Sequence, residues 1–316
     1  MKDYVVGIGA ANIDIYGKSH IQIKEKYDHP SDIFTSIGGV SRNILENIQL
    51  LGVDTVLLSA VGDDFYGDEL IKKTNDIGID TSNILKVKNA RTSVFMQIQN
   101  KNNDMQLALC DMNVIKNIDL KYLKKKAKIL NNAKALIIDP SLDNESIKYL
   151  LDTYKEKEIF VDPVSCELSI KLKPFLSKIY CLKPNISELE ALSDMKITNN
   201  DDLIVASKKM IKMGIKKLFV SLGKNGFLYV DDSGNIIKRK FKSVKKVVNA
   251  SGAGDACFAT IVYCFIKNIN ISDTIDMALA AGISAISSLS TTNKKLSVNQ
   301  LKRIIKEYKK WVTKII

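Results

Sequence analysis

The sequence has no apolar run near the ~18 residues that a membrane-crossing helix requires. Its longest candidates, VVNASGAGDACFATIVYCF at 247–265 and ALAAGISAISSL at 278–289, read as buried helices. No charged leader and no cleavage pattern precede YVVGIGA at 4–10, so secretion is not expected. Five cysteines (Cys110, Cys166, Cys181, Cys257, Cys264) form no C-x-x-C pair. Most of them sit in apolar runs, as small buried hydrophobes do in a reducing, cytoplasmic compartment. Helix-turn-helix, zinc-finger and RNA-binding aromatic patterns are lacking too. No internal repeat or low-complexity linker interrupts the chain.

What is present is ordinary for one large α/β domain with a small appendage: 316 residues, 46% hydrophobic and 26% charged. The net charge of +12 is spread over KYLKKKAK at 121–128, KRKFKSVKK at 238–246 and a helical comb from Lys302 to Lys314. Scattered lysines read as solvated faces rather than a nucleic-acid patch. Their summed positive potential suits an anionic nucleotide.

Strands and helices alternate. YVVGIGA is a short apolar strand, and GGVSRNILENIQLLG a helix with Val40, Ile44, Ile48 and Leu51 on one face and Gly52 as its stop. TVLLSAVG is the next strand; KALIID, IFVD, IYCL and KLFVSL are continuous apolar runs, each followed by a helical segment. That pattern predicts a parallel sheet covered on both faces, closed by helices at about 272–290 and 297–314. Two segments, 13–36 and 91–111, break the rhythm. In the second, Val94, Met96 and Ile98 alternate, the chain turns at 100–104, and Leu107 and Leu109 alternate again, which is a hairpin pattern. Together they predict a small sheet standing off the body.

SGAGD at 251–255 places small residues where an apolar helix begins. Backbone N–H groups there are unobstructed and the helix dipole adds partial positive charge, so the turn suits an anion. A carboxylate beside it, Asp255, is placed to take a proton from a hydroxyl attacking a phosphoryl group. The plainer alternative is a helix cap on a tight turn. The G-x-x-x-x-G-K-[ST] pattern is absent, which excludes the P-loop class. In GGVSRN, Gly38 and Gly39 let backbone approach a ligand, and Asn43 offers two-sided hydrogen bonding. Asn12 and Asp14 lie just past the first strand, where α/β sheets bind ligands, and one carboxylate accepts from two adjacent hydroxyls. KPNISELE puts Asn185 and Glu188 on one helical face, suited to hold Mg²⁺ through water beside a triphosphate. SLGKNG contributes Ser221, Gly223 and Gly226 to a turn after another strand. Each has a structural alternative: a cap at Asn12, a capping box at Asn185 with Glu188, a hairpin turn at 223–226.

In this order, over essentially the whole chain, these stretches resemble the PfkB or ribokinase family of carbohydrate and nucleoside kinases. The resemblance implies an α/β, ribokinase-like three-layer sandwich with a mostly parallel central sheet and a small β-sheet lid. It implies one kinase domain over 1–316, with lid segments about 13–36 and 91–111 inserted. It also implies ATP and Mg²⁺, Asp255 as catalytic base, and Gly252, Ala253 and Gly254 as anion hole. Asn12, Asp14, Gly38, Gly39 and Asn43 would bind the sugar. Asn185, Ser221, Gly223 and Gly226 would line the ATP side, with Glu188 reaching the metal through water. Many members begin the late motif with Asp and Thr, where this chain has Asn249 and Ala250. That departure weakens the case for a monovalent cation in the cofactor set. Longer stretches narrow the resemblance to the branch acting on pseudouridine: AANIDIYGKSH, TSIGGVSRNILENIQLLG, LLSAVGDDFYGDEL, DMN at 111–113, FVDPVS at 160–165 and STTNKKLS. Asp111 and Asn113 are the candidates for reading the base. The expected reaction is 5′-phosphorylation of pseudouridine, with ribokinase or another ribonucleoside kinase as the alternative. A non-catalytic nucleoside-binding regulator is a third reading, against which Asp255, SGAGD and the Asn185–Glu188 pair speak. The expected partners are a nucleoside and ATP, without nucleic acid or membrane, and with a homodimer compatible with the lid. Because the chain starts at the first strand, a preceding DNA-binding domain is not expected.

Overall fold

The computed structural model describes residues 3–102, 104–241, 247–288 and 290–308. Its strands are β1 (Tyr4–Ile8), β2 (Asn12–Ser19), β3 (Ser31–Gly38), β4 (Asp54–Leu58), β5 (Ala60–Gly62), β6 (Leu85–Val87) and β7 (Val94–Gln99). They continue with β8 (Met105–Asp111), β9 (Ala135–Ile138), β10 (Ile159–Val161), β11 (Cys181–Leu182), β12 (Lys217–Ser221), β13 (Phe227–Asp231) and β14 (Ile236–Arg239). Among the described residues the main sheet has eight strands in the order β14-β13-β12-β11-β10-β9-β1-β4. From β4 to β12 every pairing is parallel, and β13 and β14 add antiparallel pairings at one edge.

Successive strand residues enter different cores because side chains alternate across a sheet. Val5, Leu57, Ile137, Phe160 and Phe219 join one cluster, which also holds the buried faces of helices Val40–Leu50, Ala253–Ile266, Ile271–Ile286 and Val298–Tyr308. Val6, Leu58, Ile138, Val161 and Val220 join the other, with helices Asn144–Thr153, Ile186–Ser193 and Asn200–Lys212. Burying each such side chain stabilises the fold by roughly 1.5–3 kcal/mol. Two cores around one sheet make the three-layer sandwich. The Ala253–Ile266 helix is apolar all round because it packs against both Val40–Leu50 and Ile271–Ile286.

A second sheet stands apart, in the order β3-β2-β7-β8. Its central β2–β7 pairing is parallel, flanked by two antiparallel ones. The register sets Asp14 opposite Phe95 and Tyr16 opposite Gln97, with Phe95 opposite Cys110. These five residues share one face. Ile15, Met96, Ile98, Leu107 and Leu109 share the other.

Three expectations are corrected. TVLLSAVG divides into β4 and β5, and β5 pairs with β6 rather than within the main sheet. KLFVSL is followed by a turn and an antiparallel strand, not a helix; Gly226 with φ 89° lets the chain reverse there. The helix expected at 272–290 ends at Ile286. The lysines at 242–246 and beyond 308, and Asn103 in the 100–104 turn, lie outside the described residues.

Candidate active site

The polar residues of interest gather where the parallel strands end, the edge at which open α/β sheets bind ligands. Asn12 follows β1, Asp139 follows β9, Asp162 follows β10, Lys183 and Asn185 follow β11, and Ser221 closes β12.

On one side, Asn12 donates to Asp14 Oδ1 at 2.6 Å and the Tyr16 hydroxyl donates to Asp14 Oδ2 at 3.2 Å. Both Asn12 and Asp14 are buried. Burial pushes the Asp14 carboxyl above its ordinary pKa, opposed by those hydrogen bonds and by the Arg42 charge. This carboxylate at Gly38 and the Ala10 backbone at Gly39 leave no room for a side chain in the diglycine turn. A Cβ on Gly38 would lie 2.2 Å from Asp14 Oδ2, and one on Gly39 would lie 2.4 Å from the Ala10 carbonyl. Asp139 locks the turn, accepting from the Ala10 N–H at 2.8 Å and from Ser41 Oγ at 2.6 Å.

Across from it stands the SGAGD turn. Gly252, with φ 78° in the left-handed region, is the N-cap of the Ala253–Ile266 helix and supplies no side-chain cap. A Cβ there would meet the Thr291 carbonyl at 1.9 Å. Asp255 lies in the first helical turn, so the helix-cap alternative does not describe it. Instead Asp255 Oδ2 accepts from Asn43 Nδ2 at 3.0 Å, which joins the two glycine motifs across 212 residues of sequence. Burial and the neighbouring Asp162 raise its pKa to about 7; Asn43 and Lys183 pull it down and Asp14 pushes it up. A carboxylate ionising near neutrality beside uncapped helix N–H groups can accept a proton while an anion is held next to it.

A cleft of about 600 Å³ opens on the far side of that turn. Asn185, Ser221, Gly223 and Gly226 line it together with Ala253 and Gly254, and Leu279, Ile283 and Ile286 form an apolar wall. The capping box is real: Asn185 Oδ1 accepts from the Glu188 N–H, and Glu188 Oε2 accepts from the Asn185 N–H, each at 2.9 Å. It fixes a buried carboxylate at the edge of the cleft, with a pKa raised by burial. Among the described residues no three His, Cys, Asp or Glu side chains gather as a ligand cage. Mg²⁺ beside a nucleotide typically takes one or two carboxylates, waters and phosphate oxygens. Glu188 fits that donor set as a single carboxylate reaching through water.

The sequence reading passed over Lys183 and Asp162. Lys183 is buried, its Nζ is 3.1 Å from Asp162 Oδ2, and it would lie 3.5 Å from a Cβ on Gly254. Burial opposes its charge, but Asp162 above all holds its pKa above the ordinary lysine value. Both residues stand in quoted stretches, FVDPVS and KPNISELE, and a charge directly after an apolar strand was the available signal.

Asp111 and Asn113 are not brought to the Asp14 face. The register places Asp111 opposite Val94, on the face of Leu109. Its Oδ1 accepts from Asn113 Nδ2 at 2.9 Å, its Oδ2 is 3.5 Å from Arg91, and Asn113 Oδ1 accepts from Lys116. Tyr16, Phe95, Gln97 and Cys110 share Asp14's face, with Ser36 and Phe34 of β3 beside them.

A model of the pfkB family of carbohydrate kinases matches residues 2–298. The chain belongs to this family. It is 34% identical over 298 residues to pseudouridine kinase of Escherichia coli (strain K12), covering 94% of this chain and 95% of that one. Its fold matches Arabidopsis thaliana ribokinase, solved with ribose and ATP, at a TM-score of 0.84 and 20% identity over 97% of this chain and 99% of that one. An Escherichia coli chain described as ribokinase II, solved with ATP and Mg²⁺, matches at 0.83 and 17% identity over 97% of this chain and all of that one (100%). As a pfkB member the chain is a phosphotransferase acting on an alcohol group, with ATP as donor, in a ribokinase-like fold. Among the described residues no helix is long and apolar enough to cross a membrane.

Proposed function

We propose that this kinase phosphorylates the 5′-hydroxyl of pseudouridine, using ATP. The observation that carries the phosphoryl-transfer chemistry is Asp255, held by Asn43 at the mouth of an uncapped helix and ionising near pH 7. In this reading Asp14, oriented by Asn12, accepts hydrogen bonds from the ribose diol, and Gly38 and Gly39 allow the close approach. The nucleoside's 5′-oxygen attacks the γ-phosphorus of ATP, the bond to the β–γ bridging oxygen breaks, and ADP leaves. The hydroxyl proton passes to Asp255. The N–H groups of Gly252, Ala253 and Gly254 face the transferring oxyanions, which is where fixed dipoles act most strongly. Lys183 beneath Gly254 adds a fixed positive charge on the same side. ATP lies along Asn185, Ser221, Gly223 and Gly226, its adenine against the apolar wall. Mg²⁺ bound with ATP would spread the phosphate charge, with Glu188 behind its water shell.

The choice of nucleoside rests on the 34% identity to pseudouridine kinase and on the lid face that carries Asp14. Pseudouridine joins base to ribose through carbon, which frees an N1–H donor that uridine lacks. An acceptor buried for that donor is left unpaired by uridine, and unpaired buried groups discriminate far more strongly than shape. Gln97, half-buried on the Asp14 face, carries such an acceptor. The lid's opposite face exposes Ile33, Leu107 and Leu109 at 71%, 51% and 58%, an apolar patch suited to a second copy. Sedimentation of wild type against Leu109→Asp tests this: loss of a dimer supports it, and a wild-type monomer refutes it. A cytoplasmic setting fits five unpaired cysteines.

The test of the nucleoside assignment compares kcat/KM for pseudouridine, uridine, adenosine and ribose with ATP and Mg²⁺. Pseudouridine should lead uridine at least ~10-fold, with ribose poorer still. If ribose or adenosine leads, the nucleoside assignment is wrong and the kinase chemistry alone stands.

A further inference from the structure

Beside the Asp255–Asn43 contact lies a charged chain that the reaction above does not use. Arg42 is 1% exposed, next to Asn43 at the start of the Val40–Leu50 helix. Its Nη1 donates to Asn43 Oδ1 at 2.7 Å, its Nη2 donates to Glu46 Oε2, and its Nε donates to Thr74 Oγ1 at 3.3 Å. Glu46, equally buried, takes its second bond from Lys294 Nζ at 2.6 Å, in the STTNKK segment. Burial works against the Glu46 charge, yet Arg42 and Lys294 hold its pKa below the ordinary value. A buried ion pair is a poor stabiliser, since apolar residues of similar volume often do as well or better. Stability alone does not account for an arginine and a glutamate here.

Their geometry does. A primary amide keeps its shape when turned by half a rotation, so Asn43 could face Asp255 with either its nitrogen or its oxygen. Arginine carries donors only and stays charged, so Nη1 accepts no partner except the amide oxygen. With Oδ1 fixed on Arg42, only Nδ2 is left for Asp255. We propose that Arg42, anchored by Glu46 and Lys294, is a positioning residue that locks the Asn43 amide as a permanent donor to Asp255. The donor favours the ionised base, and it denies the protonated base an acceptor. Without the lock, a protonated Asp255 could turn Asn43 around and donate to its oxygen, which would stabilise the inactive form. This inference rests on Asp255 being the base.

The other groups facing Asp255 are Asp162 after β10, Lys183 after β11, Asp14 and Tyr16 on β2, and Cys257 on its own helix. All of them stay in place when Arg42 and Glu46 are substituted together, and that pair leaves the net charge unchanged. Losing the Arg42 charge lets the Asp14 carboxyl rise, which weakens its upward push on Asp255 and so runs against the shift expected below. The double variant Arg42→Met/Glu46→Met is therefore the probe, read by the pH profile of kcat. The expected result is an acid limb moved up by about one unit, so that kcat falls roughly 5-fold at pH 7, approaches a ~10-fold loss below about pH 6, and recovers by about pH 9. KM for the nucleoside should stay within a few-fold. A folded double variant with the wild-type profile, or with a loss independent of pH, overturns the lock. Arg42→Lys, checked by thermal melting, is the second probe should the double variant not fold: one amine cannot span Asn43 and Glu46, and the same shift is expected. Asp255→Asn separates the two failures. If it keeps turnover, both base and lock are overturned; if it loses turnover while the double variant keeps its profile, only the lock is.

Discussion

The two sides of the candidate site are built differently. On the body, Asp255 is held by Asn43, Asn43 by Arg42, and Lys183 by Asp162, all on helix starts or strand ends of the main sheet. On the small sheet, Asp14 is equally buried and doubly bonded, but away from it the same face opens to solvent at Phe34 and Cys110. The difference teaches a division of labour. On the proposed roles, groups that must keep close geometry through bond making sit on the main body, and groups that choose the ligand sit on the smaller, more exposed sheet. Substitutions on the body should therefore act on kcat, and those on the lid on KM and on substrate choice.

The strongest way to break that division is Asp255→Asn. It should lower kcat by at least ~10² while KM for the nucleoside stays within a few-fold. Near-normal turnover would remove the base from the body altogether. Wild-type kcat should rise with pH through about 7 and level off above it, because the base acts ionised. Stability runs the other way. A carboxyl raised to about 7 in the folded state binds its proton more tightly than when unfolded, so its contribution is full below about pH 4 and lost as pH rises through about 7. Melting of wild type relative to Asp255→Asn should fall across that window and then stay flat; a constant gap contradicts the raised pKa.

Next in size is Gly38→Ala, which sets a methyl 2.2 Å from Asp14 Oδ2 and must displace it. KM should rise at least ~10-fold, with a smaller loss in kcat. A purely kcat effect would show that the diol contact belongs to the chemistry rather than to binding. The smallest effects compare the two faces of the lid. Gln97→Ala should erode the preference for pseudouridine over uridine by up to ~10-fold, and Asp111→Ala should change kcat/KM by less than ~3-fold. The opposite ranking would return base reading to Asp111.

Sequence pattern exposed the fold's parallel half well, because a strand buried on both faces leaves an unbroken apolar run such as KALIID or IFVD. It missed β13 and β14 as strands, since nothing in FLYVD or IIKR distinguishes an antiparallel return from a crossover; the signal was Gly223 and Gly226, whose hairpin-turn alternative describes the β12–β13 return. Within the site, the glycine motifs were legible because small residues at a helix start have few other uses. Lys183 and Asp162 were not, because a buried ion pair is made by strand order, which pairs β10 with β11. Asp111 shows a different failure. The alternation of Leu107 and Leu109 that marked the hairpin already put Asp111 on their side, two residues further along. The parity was on the page, but the register that relates it to Asp14 was not.

One feature of the small sheet bears on turnover. Asp14 belongs to β2, in the small sheet, while the SGAGD turn opens a helix of the main body. If Asp14 anchors the sugar as proposed, any swing of the small sheet carries that anchor with it. On that proposal, opening for product release and letting go of the ribose become a single event, and the phosphoester would be left held by its phosphate end alone. The last grip on product is then electrostatic, so added salt should speed departure of the nucleotide product more than that of the unreacted nucleoside.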